Sequence, residues 1–170
     1  MGYLLLYLLP LLVAGCQRPT TSVTAAPGAP ADSVTTVNAG LRTPAGKHLP
    51  LSSLRGKYVV VVFWASWNEA SRQESPNLRK IYQQFGSRGL EIYGVSLDTD
   101  RREWVRAIRA DALVWPQVAA LNSLKNTSLE AYGIPSVPYT MLLDPEGRIL
   151  ARNLYGRALG QKISEYIPLD

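Results

Sequence analysis

Six consecutive apolar residues, Tyr58-Val59-Val60-Val61-Val62-Phe63, constrain the fold of this chain more than any other stretch. A run without polar alternation and rich in β-branched side chains is the pattern of a strand buried on both faces, so a packed layer must lie on each side of it. Leu78, Ile81, Tyr82 and Phe85 then recur at i, i+3, i+4 and i+7, the apolar face of a helix predicted to end near Gly86. Leu90 to Ser96 reads as a second strand, and Trp104, Val105 and Ile108 mark a second helix. Tyr139 to Leu143 and Arg148 to Leu154 read as two strands joined by the turn Asp144-Pro145-Glu146-Gly147. Leu159, Ile163, Tyr166 and Ile167 form one more amphipathic helix. Upstream, Leu41 to Leu54 holds Pro44-Ala45-Gly46 between short apolar stretches and predicts a hairpin or meander. The order is that of an α/β fold: a central mixed β-sheet flanked by helices, with an N-terminal β-meander.

Composition limits the chemistry. The chain is 46% apolar and 18% charged, enough to bury a core and unlike a disordered segment. Its net charge of +5 is spread along the sequence. Arg102, Arg106 and Arg109 stand at i, i+4 and i+7 without interleaved aromatics, which predicts a solvated helix face and no nucleic-acid partner. Asp98, Asp100 and Asp144 follow strand patterns and are expected to form turns rather than a cation site. One Cys and one His within these 170 residues exclude an internal disulfide, a dithiol centre and a zinc site built from Cys and His. No metal and no cofactor is expected.

Residues 1–15 carry no charge, and Tyr3 to Val13 is an apolar run too short to span a bilayer. The run ends in Val13-Ala14-Gly15-Cys16. That ending resembles the bacterial lipobox, in which small residues fit the peptidase cleft and the cysteine thiol accepts lipid. The expectation is a lipoprotein-type signal peptide over 1–15 with Cys16 as the lipid attachment. The alternatives are a cleaved signal with an incidental Cys, or a short uncleaved anchor. Residues 16–37 are rich in Pro, Thr, Ala and Ser and read as a lipid-bearing flexible tether ahead of one domain over 38–170. Two acyl chains would hold that domain at a membrane, outside the cytoplasm, in the bacterial cell envelope.

The segment most informative about chemistry is Phe63-Trp64-Ala65-Ser66-Trp67-Asn68-Glu69-Ala70-Ser71-Arg72-Gln73-Glu74-Ser75-Pro76. It resembles the thioredoxin-like thiol–disulfide oxidoreductases of the TlpA/ResA type, whose pattern is Phe-Trp-Ala-[Ser/Thr]-Trp-Cys-x-x-Cys-Arg-x-Glu-x-Pro. Asn68 stands where that pattern has its nucleophilic Cys, and Ser71 where it has the resolving Cys. The resemblance continues through Leu51-Ser52-Ser53-Leu54-Arg55-Gly56-Lys57, Gly94-Val95-Ser96-Leu97-Asp98, Trp115-Pro116, Tyr132-Gly133-Ile134-Pro135-Ser136-Val137-Pro138 and Leu143-Asp144-Pro145-Glu146-Gly147-Arg148-Ile149. It covers about residues 41 to 167 and implies a thioredoxin-like fold with a cis-proline at Pro138.

Thiol–disulfide exchange needs a thiolate stabilised at a helix N-terminus and a second thiol one turn on to resolve the mixed disulfide. Asn68 carries no nucleophile, and a Ser71 hydroxyl needs an adjacent general base. Glu74, one turn beyond Ser71, is within reach of it. Structurally, Ser66-x-x-Glu69 is a capping-box pattern and Asn68 is itself a strong N-cap type. Peroxiredoxin chemistry and thioredoxin-fold copper carriage fail for the same lack of cysteine. No catalytic residue is therefore expected. The resemblance leaves a recognition groove at Trp67, Glu74, Val137 and Pro138, where an extended peptide or envelope protein would add as a strand. The reading is a redox-inactive, membrane-tethered binding module; the alternative is the oxidoreductase activity of its relatives.

Overall fold

The computed structural model describes residues 41–119, 121 and 134–169. The signal peptide, Cys16, the tether, Tyr132 and Gly133 lie outside the described residues. Strands β1 (Tyr58–Trp64), β2 (Leu90–Ser96), β3 (Gln117–Ala119), β4 (Tyr139–Leu143) and β5 (Ile149–Arg152) form a sheet in the order β3-β2-β1-β4-β5. β1 runs parallel to β2, and β2 to β3, whereas β4 is antiparallel to both β1 and β5. The helices are α1 (Glu69–Phe85), α2 (Arg101–Ala110) and α3 (Gly156–Ser164). This is the expected α/β mixed sheet.

The valine run explains the layering. Val60, Val62 and Trp64 of β1 point to one face, where they join Leu78, Ile81 and Phe85 of α1, Trp104 and Ala107 of α2, and Leu159 and Ile163 of α3. Val59, Val61 and Phe63 point to the other, against Tyr93, Val95, Val118, Met141 and the upstream Leu41 and Leu51. Period-2 alternation thus feeds two cores from one continuous apolar run. Each fully buried side chain of this size contributes about 1.5–3 kcal/mol of apolar burial.

Besides shorter element ends, with β5 stopping at Arg152 and α3 at Ser164 ahead of Tyr166 and Ile167, two features differ from the sequence expectation. The upstream meander is reduced, among the described residues, to a tight turn with single bridges from Arg42 to His48 and to Ala119, followed by a 3-10 turn at Leu51–Leu54. Pro44 and Pro50 lack the N–H that a longer ladder would use. Strand β3 is an addition. Its approach to β2 depends on Gly94, where a Cβ would sit 2.2 Å from Gln117 Oε1. That oxygen instead accepts the Trp64 Nε1–H at 3.0 Å, tying the sheet edge to β1.

Candidate functional site

The site forms where β1 ends. The antiparallel register sets Phe63 opposite Tyr139, which places the Val137-Pro138 loop beside the turn from Trp64 to Asn68. The parallel register sets Trp64 opposite Ser96, which brings Asp98 under the same turn. The Val137–Pro138 peptide bond is cis, as the resemblance implied.

Asn68 is the N-cap of α1. Its backbone is extended, and its side-chain Oδ1 accepts the Ser71 N–H at 2.8 Å. The expected capping box at Ser66 and Glu69 does not form. The buried Asp98 carboxylate captures Ser66 instead, accepting its N–H at 3.1 Å and its hydroxyl at 2.6 Å, and also the Ser96 hydroxyl at 2.7 Å. Glu69 accepts from Gln73 one turn on. Asp98 therefore fastens the loop before α1. Asp100 caps α2 through the N–H groups of Arg102 and Glu103, and Asp144 organises the β4–β5 turn. Asp100 and Asp144 act locally, as expected of post-strand positions, whereas Asp98 also reaches 32 residues back to Ser66. Among the described residues there is no cluster of side chains suited to a metal ion.

Ser71 is 3% exposed, and its hydroxyl has no hydrogen-bond partner among the described residues. Glu74 does not turn toward it. Its Oε1 accepts the Gly156 N–H at the start of α3 at 2.6 Å, and its Oε2 accepts Asn77 Nδ2 at 2.9 Å. Among the described residues no base is hydrogen-bonded to the Ser71 hydroxyl.

Arg72 leaves the other side of α1 and holds the carboxylate of Asp111, just past α2, through Nε and through Nη2 at 2.7 Å. Arg79 donates to the Asp111 carbonyl at 2.7 Å. The hydrogen bond to Asp111 raises the Arg72 pKa, burial opposes it, and the charges of Asp111 and Asp98 add to the rise. Arg72 and Glu74 thus brace the start of α1 against α2 and α3 respectively.

An open groove of about 550 Å³ runs between α1 and the cis-proline loop. It brings Glu74, Val137 and Pro138 together with Ala70, Gln73, Asn77, Ser136 and Tyr155. Trp67 is 68% exposed at the neighbouring turn but is not part of this lining. The Tyr155 hydroxyl donates to the Pro138 carbonyl at 2.7 Å, fixing the loop to the N-cap of α3. Burial first, then the charges of Tyr139 and Glu74, raises the Tyr155 pKa and keeps its proton in place. The groove role of Tyr155 was missed in the sequence; its position before Gly156 at a helix start was the available signal.

A family model described as the AhpC/TSA family matches residues 28–152. The chain belongs to this family. Within the AhpC/TSA family it is of the thioredoxin-like TlpA/ResA type, as the motifs implied. The thiol-disulfide oxidoreductase ResA of Bacillus subtilis (strain 168) is 29% identical over 124 residues, covering 73% of this chain and 67% of ResA. The thioredoxin domain of a thiol-disulfide oxidoreductase from Bacteroides vulgatus superposes with a TM-score of 0.70 at 36% identity, over 74% of this chain and 90% of that one. A thiol-disulfide oxidoreductase from Bacteroides fragilis gives 0.69 at 33% identity, over 74% and 94%. The thioredoxin-like fold of this AhpC/TSA-family chain is thereby established.

Proposed function

We propose that this chain is a membrane-tethered, thioredoxin-like binding module of the cell envelope that has given up thiol–disulfide exchange. The observation that carries the reading is the start of α1. In an exchange enzyme the first-turn amides lower the pKa of a thiol placed there. Here the Asn68 side chain takes the Ser71 N–H itself, and the position one turn on holds a buried hydroxyl that no base contacts among the described residues. Such a site stabilises the helix and offers no electron pair to a disulfide. The relatives' names favour a second reading, oxidoreductase activity, but that chemistry needs a thiol at these positions.

The recognition half is intact in this reading. An extended segment would lie along the cis-proline loop, with Trp67 at one end and Glu74 on the facing helix. Cys16 would carry the lipid that keeps the domain at a membrane. Titrating the isotope-labelled protein with extended peptides should shift the amides of Trp67 and Val137; unchanged amides at saturating peptide contradict the groove. Cys16→Ser should move the protein from the membrane fraction to the soluble one, and retention at the membrane contradicts the lipid tether.

A further inference from the structure

We infer that the groove selects extended segments presenting a lysine or arginine side chain, with Glu74 as the group that reads the positive charge. This deepens the peptide-groove reading and rests on it. Glu74 is the one residue with a formal charge at neutral pH among the described residues lining the groove, on a chain whose net charge is +5. Its two hydrogen bonds come from neutral donors, the Gly156 N–H and the Asn77 amide, so they orient the carboxylate without cancelling its charge. A carboxylate accepts about four hydrogen bonds in all, so these two donors leave acceptor capacity unused on a residue that lines the groove.

The walls suit the rest of such a side chain. Ala70, Val137, Pro138 and the Tyr155 ring supply apolar surface for an aliphatic stem, whose charged tip would then meet Glu74. The cleft geometry concentrates the field of a single carboxylate, and an acidic side chain entering the same space meets repulsion. The partner is thus a polypeptide segment with a basic residue between residues able to extend along the loop.

The test uses the detergent-solubilised full chain and three short capped peptides identical except for a central Lys, norleucine or Glu. At low salt the Lys peptide should bind about fivefold more tightly than the norleucine peptide, with the Glu peptide weakest. Raising the salt should narrow the gap on the unmodified protein. Glu74→Gln should abolish the preference, because the amide oxygen can still accept from Gly156 while the charge is gone. Equal binding of the three peptides, or a Lys preference that survives Glu74→Gln, overturns the inference and leaves the groove standing. Failure of all three to bind overturns the groove reading as well.

Discussion

The side-chain oxygen of Asn68 lies 2.8 Å from the Ser71 backbone nitrogen and closes the first turn of α1 with a hydrogen bond. In the proposed reading this contact stands where a thiolate would otherwise draw on the helix N-terminus. It satisfies one of the four orphan amides that every helix start presents. The helix then needs no thiolate to complete it.

This capping bond has a measurable worth. Asn68→Ala should destabilise the protein by about 1 kcal/mol in urea unfolding, with Asn68→Asp close to wild type. An Asn68→Ala protein as stable as wild type would mean that the cap contributes nothing.

Ser71 makes the complementary prediction. Its hydroxyl is buried and unpartnered among the described residues, the least favourable state for such a group. A thiol there is less polar, and free cysteine behaves as a small buried hydrophobe. Ser71→Cys should be neutral or stabilising by up to about 1 kcal/mol. A clear loss of stability would show that the hydroxyl is held by a partner such as a buried water.

The β4–β5 turn sets an acid limit. Burial of Asp144 pushes its carboxyl up, but the Arg148 N–H and guanidinium, together with the Glu146 N–H, outweigh burial and hold its pKa below the ordinary carboxylate value. A depressed folded-state pKa contributes stability above the unfolded value and loses it as pH falls through the folded one. Wild type should therefore lose stability as pH drops below the carboxylate range. Asp144→Asn should start less stable at neutral pH and show a shallower acid limb. Parallel acid limbs for the two proteins would remove Asp144 from the account.

Much of the scaffold was legible before the structure. The valine run and the period-2 core it feeds, the bounds of β2, and the face of α1 all follow from local pattern, because burial and periodicity are written into neighbouring residues. What escaped depends on distant partners. Gln117–Ala119 is too short to signal a strand, and becomes one only because Gly94 lets it approach β2. Ser66 and Asn68 are both good capping types, and Asp98, 32 residues from Ser66, decides between them by taking Ser66 for itself. Arg72 and Glu74 sit two residues apart, so the helix sends them to opposite neighbours, Asp111 and Gly156. Spacing alone pointed Glu74 toward Ser71, yet the start of α3 offered it a backbone donor. The cis-proline groove was legible only through resemblance, since no local pattern encodes the register that sets Tyr139 opposite Phe63 and so brings the Pro138 loop to the end of β1.

We propose that a working exchange scaffold stands here without its thiols. The most direct measurement is insulin reduction by dithiothreitol, comparing Cys16→Ser protein with the same protein carrying Asn68→Cys and Ser71→Cys. Background turnover is expected for the first and clear acceleration for the second, because the helix start, the cis-proline loop and the braces at Arg72 and Glu74 are already in place. Turnover above background by the protein with Asn68 and Ser71 would contradict it.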